Sequence, residues 1–284
     1  MNSLIKKDIN RFFTYNTQYN KYMDELDSYE YFSYKNMNVH IYYRKYKDNL
    51  DINHIKKVIK RVFVISQFIP YDLNIYLLLS PFKKTFNLED YRKPLKTINC
   101  NSAFTYLNKP IIYILRFEEY PKVLMHELIH HITQIHSSFS SYNENRLKTH
   151  FKINNPSLDP NEAIVEFWAT IMHLYQISIE YNLDFYKLFI KELQYSLYKS
   201  SQILTIQKES PNGIYTDETN TYAYIIFKTI FMYNLLEFQK IYTFPYNDTV
   251  LTDFLIKHSP LPLSLPLSSI KNKKSLRFMI HSNY

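Results

Sequence analysis

The sequence predicts an α+β fold, with its strands in the first half of the chain and a mainly helical second half. Three observations carry that reading. Runs of β-branched and aromatic residues bounded by Pro and Asn fall between residues 39 and 117. From residue 118 onward apolar residues recur three and four apart, the spacing of one helix face. Between the two regions, residues 123–131 read VLMHELIHH, a His-Glu-x-x-His pattern set in apolar residues.

The elements follow in order. Leu4, Ile5, Ile9, Phe12 and Phe13 place one or two helices in residues 4–32. Val39 to Tyr46, rich in Tyr and β-branched residues, suits a strand. Asp51 stands as N-cap before Ile52, Ile55, Val58, Ile59, Val62 and Phe63, an amphipathic helix. Leu73 to Leu79, between Pro70 and Pro81, reads as a buried strand. Asn101 to Leu107 and Ile111 to Phe117 are two more, joined by Asn108-Lys109-Pro110 as a hairpin. The helix with the histidines starts near Glu118 and Glu119, whose carboxylates favour a helix N-terminus, tolerates Pro121 in its first turn and runs to about Ile135. Residues 137–158 are polar and read as a loop with one short helix. Asp159 as N-cap and Pro160 as first helical residue open a helix through Phe167, Trp168, Ile171, Met172 and Tyr175. Further helices fall near 183–199 and 221–241, and the Pro- and Ser-rich stretch 259–269 is extended. No internal repeat is present. The organisation expected is an N-terminal helical segment 1–36, a domain 37–258 divided at about residue 137, and a basic tail 259–284.

Composition sets the bounds. A chain of 284 residues with 46% hydrophobic residues buries one large core or two small ones. One Gly, 28 Tyr and 20 Phe, beside abundant Asn, Lys and Ile, read as coding bias. Turns that need positive φ are therefore expected to use Asn or Asp, with Gly213 the one free choice. A formal charge of +8 would suit nucleic acid or an anionic surface. The Lys and Arg residues are scattered among acids, however, so a solvated surface is expected and nucleic acid is not the expected partner. Cys100 alone excludes an intrachain disulfide and fits a reducing compartment. The stretch MNSLIKKDINRFFTYN has no apolar core of signal-peptide length, and no apolar run approaches the ~20 residues that span a bilayer. An intracellular, soluble protein without a membrane span is expected.

On a helix, residues four apart share a face, so His126 and His130 present their imidazoles toward a single metal ion, by default one zinc ion. Glu127 can reach a water on that metal and act as general base. A catalytic zinc site needs three protein ligands and one open position. The third is His136 or Glu162. His136 follows His130 by the spacing His-Glu-x-x-His-x-x-Gly-x-x-His, the metzincin pattern, but Thr133 stands where that pattern has Gly, and a β-branched residue suits positive φ poorly. Met172, the one candidate for a Met-turn, sits inside a helical pattern.

Residues 126–133, HELIHHIT, and 161–166, NEAIVE, resemble the two motifs of the gluzincins, the thermolysin-like zinc peptidases, which read His-Glu-Leu-Thr-His-x-x-Thr and Asn-Glu-Ala-Ile-Ser-Asp. The resemblance implies a zincin-like domain: a small mixed sheet with an antiparallel edge strand, then the active-site helix. It makes Glu162 the third zinc ligand and Glu166 the acid that orients a ligand histidine. Glu-x-x-x-Glu followed by an aromatic residue and Ala also looks like the lethal-factor-type peptidases. The departures are Glu for Asp at 166 and a gap of 32 residues between His130 and Glu162, longer than thermolysin's. In the family the edge strand pairs with an extended substrate and carries Asn-Ala followed by aromatics. Asn101-Ser102-Ala103-Phe104 resembles it with one residue inserted, which makes Asn101 and Ala103 substrate-contact candidates.

Blander roles compete. Glu162 stands three residues after Asp159, where a glutamate closes a capping box, and Glu166 alone would suit a helix surface. His131 and His136 read as ordinary helix residues. Tyr215, Tyr222 and Tyr224 are available as oxyanion donors near Gly213, among 28 tyrosines. The function expected is a zinc metalloendopeptidase acting on a peptide or protein, with its oligomeric state left open. The alternatives are a metzincin-type enzyme using His136, or a zincin-fold protein that binds a partner without catalysis.

Overall fold

The computed structural model describes residues 1–86, 93–106, 108–133, 139–156, 158–243, 246–260 and 275–281. In chain order its elements are α1 (Ser3–Phe12), α2 (Thr17–Asp24), β1 (Ser28–Tyr34), β2 (Met37–Tyr43), α3 (Ile52–Ser66), β3 (Leu73–Ser80), a short α4 (Thr97–Cys100), β4 (Ala103–Tyr106), β5 (Ile111–Arg116) and α5 (Tyr120–Thr133). There follow α6 (Ser141–Phe151), β6 (Ile153–Asn154), α7 (Asn161–Glu180), α8 (Phe185–Glu209), β7 (Tyr215–Thr216), α9 (Lys228–Tyr233), α10 (Leu235–Ile241) and α11 (Asp248–Lys257). The fold is mixed α+β. The chain forms two compact units, one of residues 1–84 and 101–134, the other of 85–100 and 135–281. The division near residue 135 lies close to the 137 expected, whereas residues 1–36 belong to the first unit and 85–100 to the second.

The first unit is built on a five-stranded mixed sheet in the order β1-β2-β3-β5-β4. Strands β2, β3 and β5 run parallel, and β1 and β4 are antiparallel at the two edges. Period-two alternation sorts the side chains. Val39, Ile41, Ile75, Leu77, Ile112 and Ile114 are buried and fall on one face by register. On the other face Tyr31, His40, Tyr76, Tyr113 and Phe104 are register neighbours across all five strands. Their rings form a continuous row with centroids 4.6 to 5.3 Å apart, and Phe12 of α1 stacks on its end. The hydroxyls of Tyr19 and Tyr22 in α2 donate to Leu115 O and Leu78 O, tying the N-terminal helices to the strand ends.

One difference from the sequence reading falls here. Residues 28–34, expected within the helical segment, are the strand β1: SYEYFSY is rich in aromatic residues, and β2 beside it completes the pairing. The Asp51 cap is as expected, its carboxylate accepting from the backbone N–H groups of Asn53 and His54.

In the second unit α7 packs with α8, α9 and the π-helical turn Ala223–Phe227 around Phe167, Ile203, Ile226 and Ile230. The expected loop 137–158 contains α6, an eleven-residue helix whose N-cap Ser140 accepts from Asn143 N–H. Helix α6 is joined to α11 by Ser140 N–H to Asp248 and Asn143 to Thr249, both 2.9 Å, and by the Arg146–Asp253 ion pair. Residues 275–281, counted with the tail in the sequence, pack into this unit, with Leu276, Phe278 and Met279 buried. Buried side chains grip their backbone. Lys199 Nζ donates to Ser275 O at 2.7 Å, Lys228 Nζ to Phe278 O at 3.1 Å, and Ile280 N–H to Glu192 at 3.0 Å. Of the extended stretch 259–269, residues 261 onward lie outside the described ones.

Glycine scarcity is met differently than expected. Nine non-glycine residues among those described have positive φ, and of these only Asn49, Asn182 and Asn212 are Asn, with none Asp. Among the described residues no helix is long and apolar enough to cross a membrane.

Candidate metal centre

Helix α5 is fixed at its entry by charge. Glu118 and Glu119 lie just before the helix, Glu119 with φ 64°. Lys84 Nζ is 2.6 Å from the Glu119 carboxylate, both side chains buried, and Lys84 N–H donates to Glu118 at 2.6 Å. These acids hold the corner instead of the first turn. Burial raises the Glu118 carboxyl above the usual range, against the bond from Lys84. Arg116, at the end of β5, donates to Asn101 O and Lys83 O, both at 2.9 Å.

Along α5, Leu124, Met125, Leu128 and Ile129 are buried and anchor the helix. His126 and His130 lie one turn apart on the remaining face with their Nε2 atoms 3.1 Å apart. His126 is 7% exposed and Glu127 6%, so both are sheltered without being sealed. Two nitrogens on neighbouring vertices of a tetrahedral zinc, at ~2.0–2.1 Å from the metal, stand roughly 3.3 Å apart, so the pair is spaced for one ion. The helix continues through Thr133 with no turn after His130. His136 lies outside the described residues.

His131, the next residue, has both ring nitrogens engaged: Nδ1 is 2.8 Å from Tyr71 Oη and Nε2 is 2.6 Å from Thr105 Oγ1. Thr105 Oγ1 gives its one proton to Ile111 O at 2.7 Å, so it accepts from His131 Nε2–H, and Nδ1 accepts from Tyr71. Burial, with His130 beside it, lowers the His131 pKa to about 4. It is a neutral structural histidine, in keeping with the sequence reading. Ala103 begins the edge strand and Asn101 lies two residues before it: the Asn101 carbonyl is held by Arg116, and Ala103 is buried opposite Ile114.

In the second unit Glu162 is half-buried in the first turn of α7, and Glu166, one turn on, is buried. Asp159 accepts from Asn161 N–H at 2.9 Å, and its own N–H donates to Asn220 at 2.8 Å. The bond that a capping box draws from its glutamate is thus made by Asn220. Met172 lies mid-helix, so no Met-turn forms there. Tyr215 and Tyr222 are buried with hydroxyls committed to Asp217 and Gln207, and Tyr224 lies against Phe278. The structure thus pairs His126 with His130 in the first unit, and Glu162 with Glu166 along one helix of the second. The Thr105–His131–Tyr71 chain escaped sequence reasoning, because its members lie 26 and 60 residues apart. Compared with known proteins, the chain matches no protein-family model and no curated protein significantly.

Proposed function

We propose that the chain is a zinc-dependent metallopeptidase of zincin-like, gluzincin-type architecture, with His126, His130 and Glu162 as ligands of one zinc ion. The observation that carries this reading is the 3.1 Å separation of two imidazole nitrogens on a buried helix, with Glu127 between them in sequence. Two imidazoles and a carboxylate are a fitting donor set for zinc. When bound, zinc supplies Lewis acidity toward a water molecule and a peptide carbonyl.

The protein's own groups do the rest. Glu127 takes a proton from the attacking water and delivers it to the leaving amine. Glu166, buried one helical turn from Glu162, orients a ligand histidine through its other ring nitrogen. Strand β4, at the sheet edge among the described residues, offers its outer side to an extended peptide near Asn101 and Ala103.

Metal analysis with peptide-library cleavage tests the reading. Glu127→Gln is expected to keep one zinc per chain and lose activity by about 10²–10⁴-fold. Cleavage equal to that of the wild type sinks the mechanism. Glu162→Ala is expected to lower zinc content, and unchanged binding returns His136 as third ligand.

A further inference from the structure

We infer that His131 is a positioning residue, which sets the distance between the metal-ligand helix and the strand offered to substrate. The inference rests on the function proposed above. Its basis lies wholly within the first unit. Strand alternation puts Ala103 and Thr105 on one face of β4 and Phe104 and Tyr106 on the other, where Phe104 joins the row of rings. The Thr105 hydroxyl accepts from His131 of α5 at 2.6 Å and donates to Ile111 O of β5. Tyr71 Oη closes the chain on the far side of the imidazole.

Each donor and acceptor in the sequence Tyr71, His131, Thr105, Ile111 has one assignment, because the last member is a carbonyl that can only accept. A chain with every member satisfied is stiff, and removing Thr105's link leaves a ring nitrogen of the buried His131 without its partner. Among the described residues strand β4 has only four residues and one neighbouring strand, so the β5 ladder alone holds it weakly against sliding or lifting. His131 fastens it near its C-terminal end, and Arg116 grips Asn101 O just before its start. The residue beside ligand His130 thereby fixes where a peptide paired to β4 lies relative to the ligand face of the same helix.

The test substitutes the partner and leaves the histidine next to the ligand in place. Thr105→Val keeps the branched shape and removes the hydroxyl; Thr105→Ser keeps the hydroxyl. In full-length protein Thr105→Val is expected to raise KM for an extended peptide about tenfold, with kcat within about twofold and zinc content unchanged. The amides of β4 exchange with deuterium faster in it. Thr105→Ser behaves as wild type in both readouts. Leu255→Ala, which weakens the second unit, lowers Tm and leaves KM and β4 exchange alone. Wild-type KM and exchange in Thr105→Val overturn the inference, as does a loss confined to kcat or zinc. If the wild type holds zinc and cleaves no peptide, the function proposed above falls, and β4 exchange in the Val and Ser variants decides this inference by itself.

Discussion

Asp217 is a carboxyl that folding drives toward its protonated form. Burial lifts its pKa to about 7, against bonds from Thr219, Tyr215 and Thr221 that pull the other way. In the unfolded chain it titrates at about 3.9. Between those values the folded state holds a proton that the unfolded state has released, so stability falls as pH rises from about 4 to 7, and the cost is complete above 7. Asp217→Asn removes the ionisation and keeps the shape. Urea unfolding from pH 4 to 8 is expected to show the wild type losing ground to this variant by up to roughly 4 kcal/mol. Parallel pH curves for the two proteins would show that folding leaves the pKa of the carboxyl unchanged. Nothing in the local sequence singles Asp217 out: Thr219, which donates to it, is itself held through its carbonyl by Asn155 from another part of the chain. His126, Glu127 and His130, by contrast, are legible because a helix repeats every 3.6 residues, and their spacing needs no distant partner.

Elements were legible where their signals are local. Asp51 caps α3, and the apolar run of β3 lies between two prolines, so both match the sequence reading closely. Strand β1 was not, because SYEYFSY becomes a strand through pairing with β2, and propensity alone leaves an aromatic-rich segment undecided. Helix α6 shows how an element ends in a chain with one glycine. Its C-cap is Lys152 at φ 53°, with N–H bonds back to Lys148 and Thr149. A left-handed conformation costs a residue with a Cβ ~1–2 kcal/mol, part of which glycine's greater unfolded-state freedom offsets. Lys152→Gly is therefore expected to stabilise the protein by about 0.5–1 kcal/mol in denaturant unfolding, and destabilisation would mean that the lysine side chain does more than tolerate its backbone.

At the scale of the whole molecule, the division into two units follows the sequence pattern in which strands give way to helices, with two exceptions. Residues 85–100 belong to the helical unit, and residues 275–281 pack into it through Leu276, Phe278 and Met279. Their apolar residues Leu276, Phe278 and Met279 were visible in the sequence. The groups that hold their backbone, Glu192, Lys199 and Lys228, lie 50 to 88 residues away and were not. Leu276→Ala is expected to lower stability by about 2–5 kcal/mol in urea titration, the cost of emptying a buried leucine site. A change within ~0.5 kcal/mol would show that Leu276 does not pack into the unit.

This arrangement also orders events in time during synthesis. All strands of the first sheet and the helix bearing His126 and His130 are made by residue 133, so that unit can close while translation continues. The second unit must wait. Until residues 275–281 emerge, Lys199, Lys228 and Glu192 lack the backbone groups they grip, and the helices that follow α6 stay open to chaperones and proteases.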